Sequence, residues 1–593
     1  MHVVLDTECY ENYFLATFVF ESGEVIEFEK YNDQPNMDIM PVLTRVLKHC
    51  TLATFNGRNY DIPILSLAAH GYANAALKEA SDLIIQSNQM PWNIERKYGM
   101  SMLQFDHIDI INLLPLFESL KLYSARNNTK RLQDLPYTPD SHIDDDKAAH
   151  LRDYCRDDCA MTWELFIKLW PQIQLRIKLG ETYNQDLRSK SDAQISEAVM
   201  KSEYEIITNK TLAKPIDSVG MPESIKYTAP EWVTYGKASL NSFVYRLNRE
   251  VFEISDKGNP LAPEWLKSRV QTINDRPYAV GLGGLHAQNK CESYFSGSRG
   301  QLIDIDVRSY YPSIILNEQY SPPHMGNVFT QIYRRLVDQR LEAKASGDKV
   351  VADTLKITIN GTFGKLGSRF STLYAPELLL AVTFTGQLAL LMLIEMMAQR
   401  GIQTVSANTD GITVLSKNDA LTRQVVAEWE NVTQFVMEYT YYKSIHYRDV
   451  NNYFAITTDD KTKTKGVFRE PGLNKNPAAH ISMVAVMNYI LDGIPVADTI
   501  RQCPDIKAFL SVRTVRGGAA KDGEYLGKAV RWYYSTKTDT AIHYISNGNM
   551  VAKTTGAMPM MNISGIIPDD LDYQWYIDEA LKTIDEVGYF GWL

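Results

Sequence analysis

Cysteine is scarce in this 593-residue chain: there are six, and they are scattered (Cys9, Cys50, Cys155, Cys159, Cys291, Cys503). Only Cys155 and Cys159 are close, and no second Cys/His pair stands beside them, which excludes a closed structural zinc site and suits a reducing cytoplasm. A leader is lacking too, since Met1 runs straight into the apolar, strand-like HVVLD with no basic start or cleavage site, so export is not expected. Long apolar runs are few. The most membrane-like stretch, Leu378 to Met397, is interrupted by Thr383, Thr385, Gln387 and Glu395, which predicts a buried helix and no membrane association. There are no long repeats, charge blocks or low-complexity linkers. Positive charge is also short, the net charge being −10. That figure governs solubility and long-range steering; a polyanionic partner responds to the local field.

What is present is the composition of a soluble globular protein, 45% hydrophobic and 22% charged, long enough for about three to five domains. The first 170 residues alternate strands (HVVLD, FLATFVF, LATFN, HIDIINLL) with helical stretches, as a compact α/β domain does. Residues 181–277 are mostly helical. A β-rich region begins near Tyr278, followed by helical segments at Val328–Ala345, Val350–Thr362 and Pro376–Arg400, and then the hairpin-like TVSANTDGITVLS. Between Cys503 and Lys553, eight basic residues outnumber four acidic ones, with Tyr525, Trp532, Tyr533 and Tyr534 interleaved. Arg513, Arg516, Lys528 and Arg531 in that patch are candidates to follow a nucleic-acid backbone.

Chemistry enters through acidic residues on strands. In VVLDTE, Asp6 and Glu8 are two apart and project from one face of a strand, where two like charges repel unless a cation lies between them. TFNGRNYDIPIL sets Asn56, Tyr60 and Asp61 at the end of a second apolar strand, and DYCRDDCAMTWELF stacks Tyr154 and Asp158 on one helix face. Carboxylates from strand, loop and helix suit two divalent ions for phosphodiester hydrolysis. Together and in order these segments resemble the three exonuclease motifs of proofreading polymerases, DxE, Nx(2–3)(F/Y)D and YxxxD. The resemblance implies Asp6, Glu8, Asp61 and Asp158 as metal ligands, Tyr154 as the residue orienting water, and Asn56 as a DNA contact. Family members often add a lysine upstream of the last motif, for which Lys130 is the candidate.

LIDIDVRSYYPSII resembles motif A of the B-family DNA polymerases, DxxSLYPS. The resemblance implies that Asp306 and the Val307 carbonyl bind metal, that Ser309 faces the triphosphate, and that Tyr311 rejects a 2′-hydroxyl. Tyr310 stands where Leu is usual. In KITINGTFGKLG, Lys356, Asn360 and Phe363 share a helix face, as the residues of motif B (KxxxNSxYG) do, with Gly361 and Phe363 in place of Ser and Tyr. Arg340 and Lys344 match the RxxxK pair of the facing fingers helix. Motif C (YxDTDS) reads SANTDGI: Asn408 replaces the first aspartate, Gly411 replaces the serine, and Asp410 is kept. GLGGLH (Gly281 to His286) and VNNYFA (Asn451, Tyr453) resemble degraded YxGG and KxY motifs.

The resemblance spans most of the chain, and the family it points to is the B-family polymerases of bacteriophages. The fold it implies is α/β multidomain: a ribonuclease H-like exonuclease domain (1–180), a helical connecting region (181–277), then a right-hand polymerase. In that hand, palm occupies 278–326 and 373–456, fingers 327–372 and thumb 457–593. It implies two Mg²⁺ per active site, with Mn²⁺ as a substitute, and action on primer-template DNA and dNTPs as a monomer. Helicase, primase or single-strand-binding partners fit the same role. Asp306 to Lys356 is 50 residues and Gly364 to Asp410 is 46, leaving no space for the insertions of protein-primed members. Two rival readings stand beside it: a nuclease with a vestigial polymerase half, motivated by Asn408, and a non-catalytic DNA-binding scaffold.

Overall fold

Strand alternation organises the N-terminal sheet. The computed structural model describes residues 1–267 and 269–589 and divides the chain into two compact units. The first comprises Met1–Ser191, Glu470–Ser482 and Ala497–Ile577. In it, β1 (His2–Cys9) lies between β2 (Tyr13–Phe20), antiparallel, and β4 (Thr51–Thr54), parallel; β3 (Val25–Tyr31) extends one side and β5 (His107–Asp109) the other. Odd residues Val3 and Leu5 enter a core with Ile62, Ile64 and Leu65 of α1 (Asp61–Ala69). Even residues face the other way. Val4 packs with Cys159, Met161 and Leu165 of α3 (Asp145–Tyr183), so Asp6 and Glu8 project toward that helix as well. The Asp144 side chain caps α3 by accepting from Lys147 N, and acidic Asp145 and Asp146 fill its first turn, where the helix dipole favours negative charge. A short helix, α2 (Leu120–Arg126), is capped by Ser119 and packs on α3.

The C-terminal part of this unit is a small antiparallel sheet around Ser511–Lys521 and Glu524–Tyr534. Arg531 fastens it to the loop after α2: buried completely, it donates to the carbonyls of Thr129, Lys130, Met560 and Met561. The span 457–593 is thus shared between the two units, and its residues 590–593 lie outside the described residues.

The second unit comprises Asp192–Arg469, Met483–Val496 and Asp578–Leu593. Its ten-stranded sheet has at its centre β6 (Gln301–Val307), flanked by β8 (Gly411–Ser416) and β9 (Met437–Asp449). Outside these lie β7 (Gln403–Asn408), β10 (Asn452–Thr457) and β11 (Thr462–Lys465). Helices α5 (Asn327–Ser346) and α6 (Lys349–Leu366) form an antiparallel pair, joined by α4 (Asp192–Thr208) from the expected connecting region. Helix α7 (Pro376–Gln399) is long and apolar enough to cross a membrane, but 83% of its most apolar stretch is buried inside the protein, as a core helix requires.

Candidate functional sites

In the first unit, the exonuclease-like residues come together. Glu8, Asp61, Asp158 and Tyr154 are buried and Asp6 is partly buried. Asp6 is pushed well above its ordinary range by burial first, then by the charges of Asp158 and Asp61. Glu8 is raised by burial and by Asp158, with Lys121 opposing. Asp61 is pushed up to about 7 by burial, partly offset by the hydroxyl of Thr7, which donates to Asp61 Oδ1 at 2.7 Å. Asp158 is raised by burial, again opposed by Lys121. Crowded carboxylates of this kind are relieved by a shared divalent cation, and the oxygen-rich donor set fits one.

The lysine at this cluster is Lys121. Its Nζ bonds the Asp158 carboxylate and lies 4.1 Å from the Tyr154 ring centroid, whereas Lys130 is exposed. Spacing along the chain did not reveal it, because Lys121 reaches the site from α2 and not from the approach to α3. Asp157, three residues after Tyr154 where the YxxxD pattern needs four, is ion-paired with Arg131 at 2.9 Å. Asn56 sits in a left-handed turn (φ 67°). Asp109 fixes that turn by accepting from Asn56 N at 2.8 Å and Arg58 N at 3.1 Å. Asn56's own side chain accepts from Asn59.

The second unit carries the other constellation. Asp306, next to last in β6, lies directly opposite Gly411 of β8, and Val307 N donates to Asp410 O at 2.8 Å. The pairing sets the two aspartates side by side at one end of the sheet. Burial pushes Asp306 up to about 7, helped by Asp304 and opposed by Lys463. Lys463 Nζ bonds Asp304 at 2.9 Å and lies 3.8 Å from Asp306. Asp304 is also held by Thr413 Oγ1 at 2.8 Å and Tyr442 Oη at 2.6 Å, so it positions the lysine. The TKTK alternation, which puts Lys463 and Lys465 on one face of β11, was the available signal for them.

The departures in motif C have local causes. A Cβ at Gly411 would lie 2.0 Å from Asp306 Oδ1 and 2.8 Å from Ile305 O, so a serine there cannot coexist with this Asp306. Asn408 Nδ2 donates to Val450 O at 2.9 Å, a bond an aspartate cannot make. Thr409 takes φ 60°, donates its N–H to Leu285 O, and lies where a Cβ on Gly284 would fall (2.5 Å from Thr409 Oγ1), tying the glycine-rich loop to the turn.

No protein-family profile matches the chain, and no curated protein does. A solved structure does. The family B DNA polymerase of the hyperthermophilic archaeon Pyrobaculum calidifontis is similar at 15% identity with a TM-score of 0.41, over 100% of this chain and 78% of that one. Function must be read from the side chains.

Around the Asp306 end, Tyr311 stacks on Phe363 of α6 with ring centroids 4.3 Å apart. Tyr310, in place of leucine, is buried and donates to Gly386 O. Ser309 adopts φ 53° at the head of the following helix, 3.5 Å from Arg340 Nη1. Lys344, Lys356 and Asn360 are solvent-exposed. Gly361 is forced by α4, since a Cβ there would meet Ser196 Oγ at 2.1 Å, and that hydroxyl bonds Ile357 O. Tyr453 has Lys465 directly across the β10–β11 ladder, whereas Asn451 is exposed. In the small C-terminal sheet Arg516 and Lys528 are exposed and Arg513 is half-exposed. Arg531 departs from its expected place on a DNA path: it is sequestered, and its guanidinium is occupied by main-chain carbonyls.

Proposed function

We propose that this protein is a template-directed DNA polymerase with a 3′–5′ proofreading exonuclease, of the kind that replicates a bacteriophage genome. The observation that carries the polymerase half is the β6–β8 pairing, which sets Asp306 beside Asp410 with the stacked Tyr311–Phe363 pair nearby. Divalent ions, Mg²⁺ or Mn²⁺, supply charge neutralisation and activation of the attacking oxygen when bound. Asp306, the Val307 carbonyl and Asp410 would hold them. Tyr311, backed by Phe363, presents a flat wall to the sugar and excludes a 2′-hydroxyl. Arg340, Lys344, Lys356 and Asn360 meet the triphosphate, where fixed positive charge counters charge developing in phosphoryl transfer. Lys463, anchored by Asp304, steadies the Asp306 carboxylate.

For the exonuclease half, Asp6, Glu8, Asp61 and Asp158 would hold the ions and Tyr154 would orient water. Lys121 supports both by bonding Asp158 beneath the tyrosine ring. Primer–template DNA enters with its backbone along exposed basic residues such as Arg516 and Lys528. Helicase, primase or single-strand-binding proteins are the partners this role calls for.

Primer extension with Mg²⁺, with and without dNTPs, tests the proposal. Elongation with dNTPs and shortening without them is the expected result. Shortening alone would leave a nuclease with a vestigial polymerase half, and no change would leave a DNA-binding scaffold.

A further inference from the structure

The N-terminal carboxylate cluster contains a sulfur. Cys155, one residue past Tyr154 on α3, is fully buried, and its Sγ lies 3.3 Å from Asp6 Oδ2 and 3.5 Å from Asp6 O. One ligand atom each from Asp6, Glu8 and Cys155 lie within 4.8 Å of one another. Glu8 supplies an independent sign. The residue is 9% exposed, yet its carboxylate makes no hydrogen bond and no ion pair among the described residues. A buried carboxylate without partners is costly unless a cation joins it.

We propose that Asp6, Glu8 and Cys155 form a site for a thiophilic divalent cation of the Zn²⁺ or Cd²⁺ class, and that such an ion blocks strand shortening. The blocking clause rests on the exonuclease reading above. In a tetrahedral zinc site, Zn–S of about 2.3 Å and Zn–O of about 2.0–2.2 Å put sulfur and oxygen about 3.5 Å apart, close to the 3.3 Å found between Cys155 and Asp6. Mg²⁺ takes oxygen ligands in octahedral geometry and gains nothing from a thiol, whereas softer ions select sulfur. On binding, the Cys155 thiol gives its proton to water and the thiolate ligates the ion, with no change of oxidation state. Asp6 and Glu8, drawn to the sulfur side, are then lost to an all-oxygen arrangement, and shortening stops.

The experiment uses the full-length, metal-free protein with the accessible Cys291 and Cys503 replaced by serine, titrated with Cd²⁺ and followed by the ultraviolet charge-transfer absorption of a cadmium–thiolate bond. We expect the band to saturate at one equivalent, to vanish in Cys155→Ser and Cys155→Ala, and to persist in Cys159→Ser. In Glu8→Gln the affinity should fall at least tenfold. Thermal unfolding identifies which of the two Cys155 variants is folded, and that one is read. Absence of the band in the parent protein, or its persistence without Cys155, overturns the inference. Zn²⁺ should inhibit shortening at least tenfold less potently in Cys155→Ser; equal inhibition removes the blocking role. The band requires no nuclease activity. A protein that shows it but never shortens DNA keeps this site and loses the exonuclease reading; shortening in Mg²⁺ without the band does the reverse.

Discussion

Restoring the usual serine of motif C, Gly411→Ser, should damage this protein. The new Cβ would be 2.0 Å from Asp306 Oδ1, 2.8 Å from Ile305 O and 3.0 Å from Asp306 Cα. The carboxylate can rotate away, but the Ile305 carbonyl and Asp306 Cα belong to β6, which is hydrogen-bonded on both sides by β8 and β9. Overpacking a site of this kind costs about 1–3 kcal/mol. At about 2–4 °C per kcal/mol for a large domain, the melting temperature should drop by several degrees. Catalysis should suffer more, because Asp306 must leave its position beside Asp410, and a displacement of about 1 Å costs roughly two orders of magnitude in rate. Gly297→Ala, whose Cβ meets nothing within 4 Å, is the control. Single-turnover primer extension and a thermal melt on the same preparations decide the matter. Wild-type extension by Gly411→Ser at an unchanged melting temperature refutes the reasoning.

Other perturbations separate the two sites. Asp306→Ala or Asp410→Ala should abolish extension and spare shortening, and Asp6→Ala with Glu8→Ala should do the opposite; extension by Asp306→Ala or Asp410→Ala sinks the assignment. Tyr311→Ala should raise ribonucleotide incorporation while Tyr311→Phe should not, and equal ribonucleotide use by wild type and Tyr311→Ala removes the residue from that role. Asn408→Asp loses the donor to Val450 O, so it should cost about 1–3 kcal/mol in a denaturant melt and shift the Mg²⁺ or Mn²⁺ dependence, with no gain from zero activity. An inactive wild type rescued by this change contradicts that. In the metal-free protein, a carboxyl at about 7 when folded and 3.8 when unfolded keeps its proton better in the folded state. Stability should therefore fall as pH rises from about 4 to about 7, by up to about 4 kcal/mol at about 1.4 kcal/mol per pH unit. Asp6, Glu8, Asp158 and Asp306 are raised as well and add to the fall, so Asp61→Asn should make the slope shallower without abolishing it, and an unchanged slope removes Asp61 from the raised set.

What the sequence determined by itself was local and periodic. A strand repeat of two put Asp6 and Glu8 on one face, and a helix repeat near four stacked Tyr154 over Asp158 and aligned Lys356 with Asn360. These relations follow from backbone geometry, so no neighbour has to be known. The tertiary structure decided which distant residues complete each site. Lys121 reaches Asp158 from another helix, Lys463 reaches Asp304 across 159 residues, and Cys155 meets Asp6 across 149. It also decided where a match to pattern is forbidden. Gly411 must be glycine because β8 pairs with β6 at Asp306, and Gly361 because α4 packs on α6. Arg531, legible only as one cation in a basic run, is buried because four carbonyls from two segments converge on it. Close approach between elements far apart in the chain is fixed by packing, and neither charge patterning nor residue spacing encodes it.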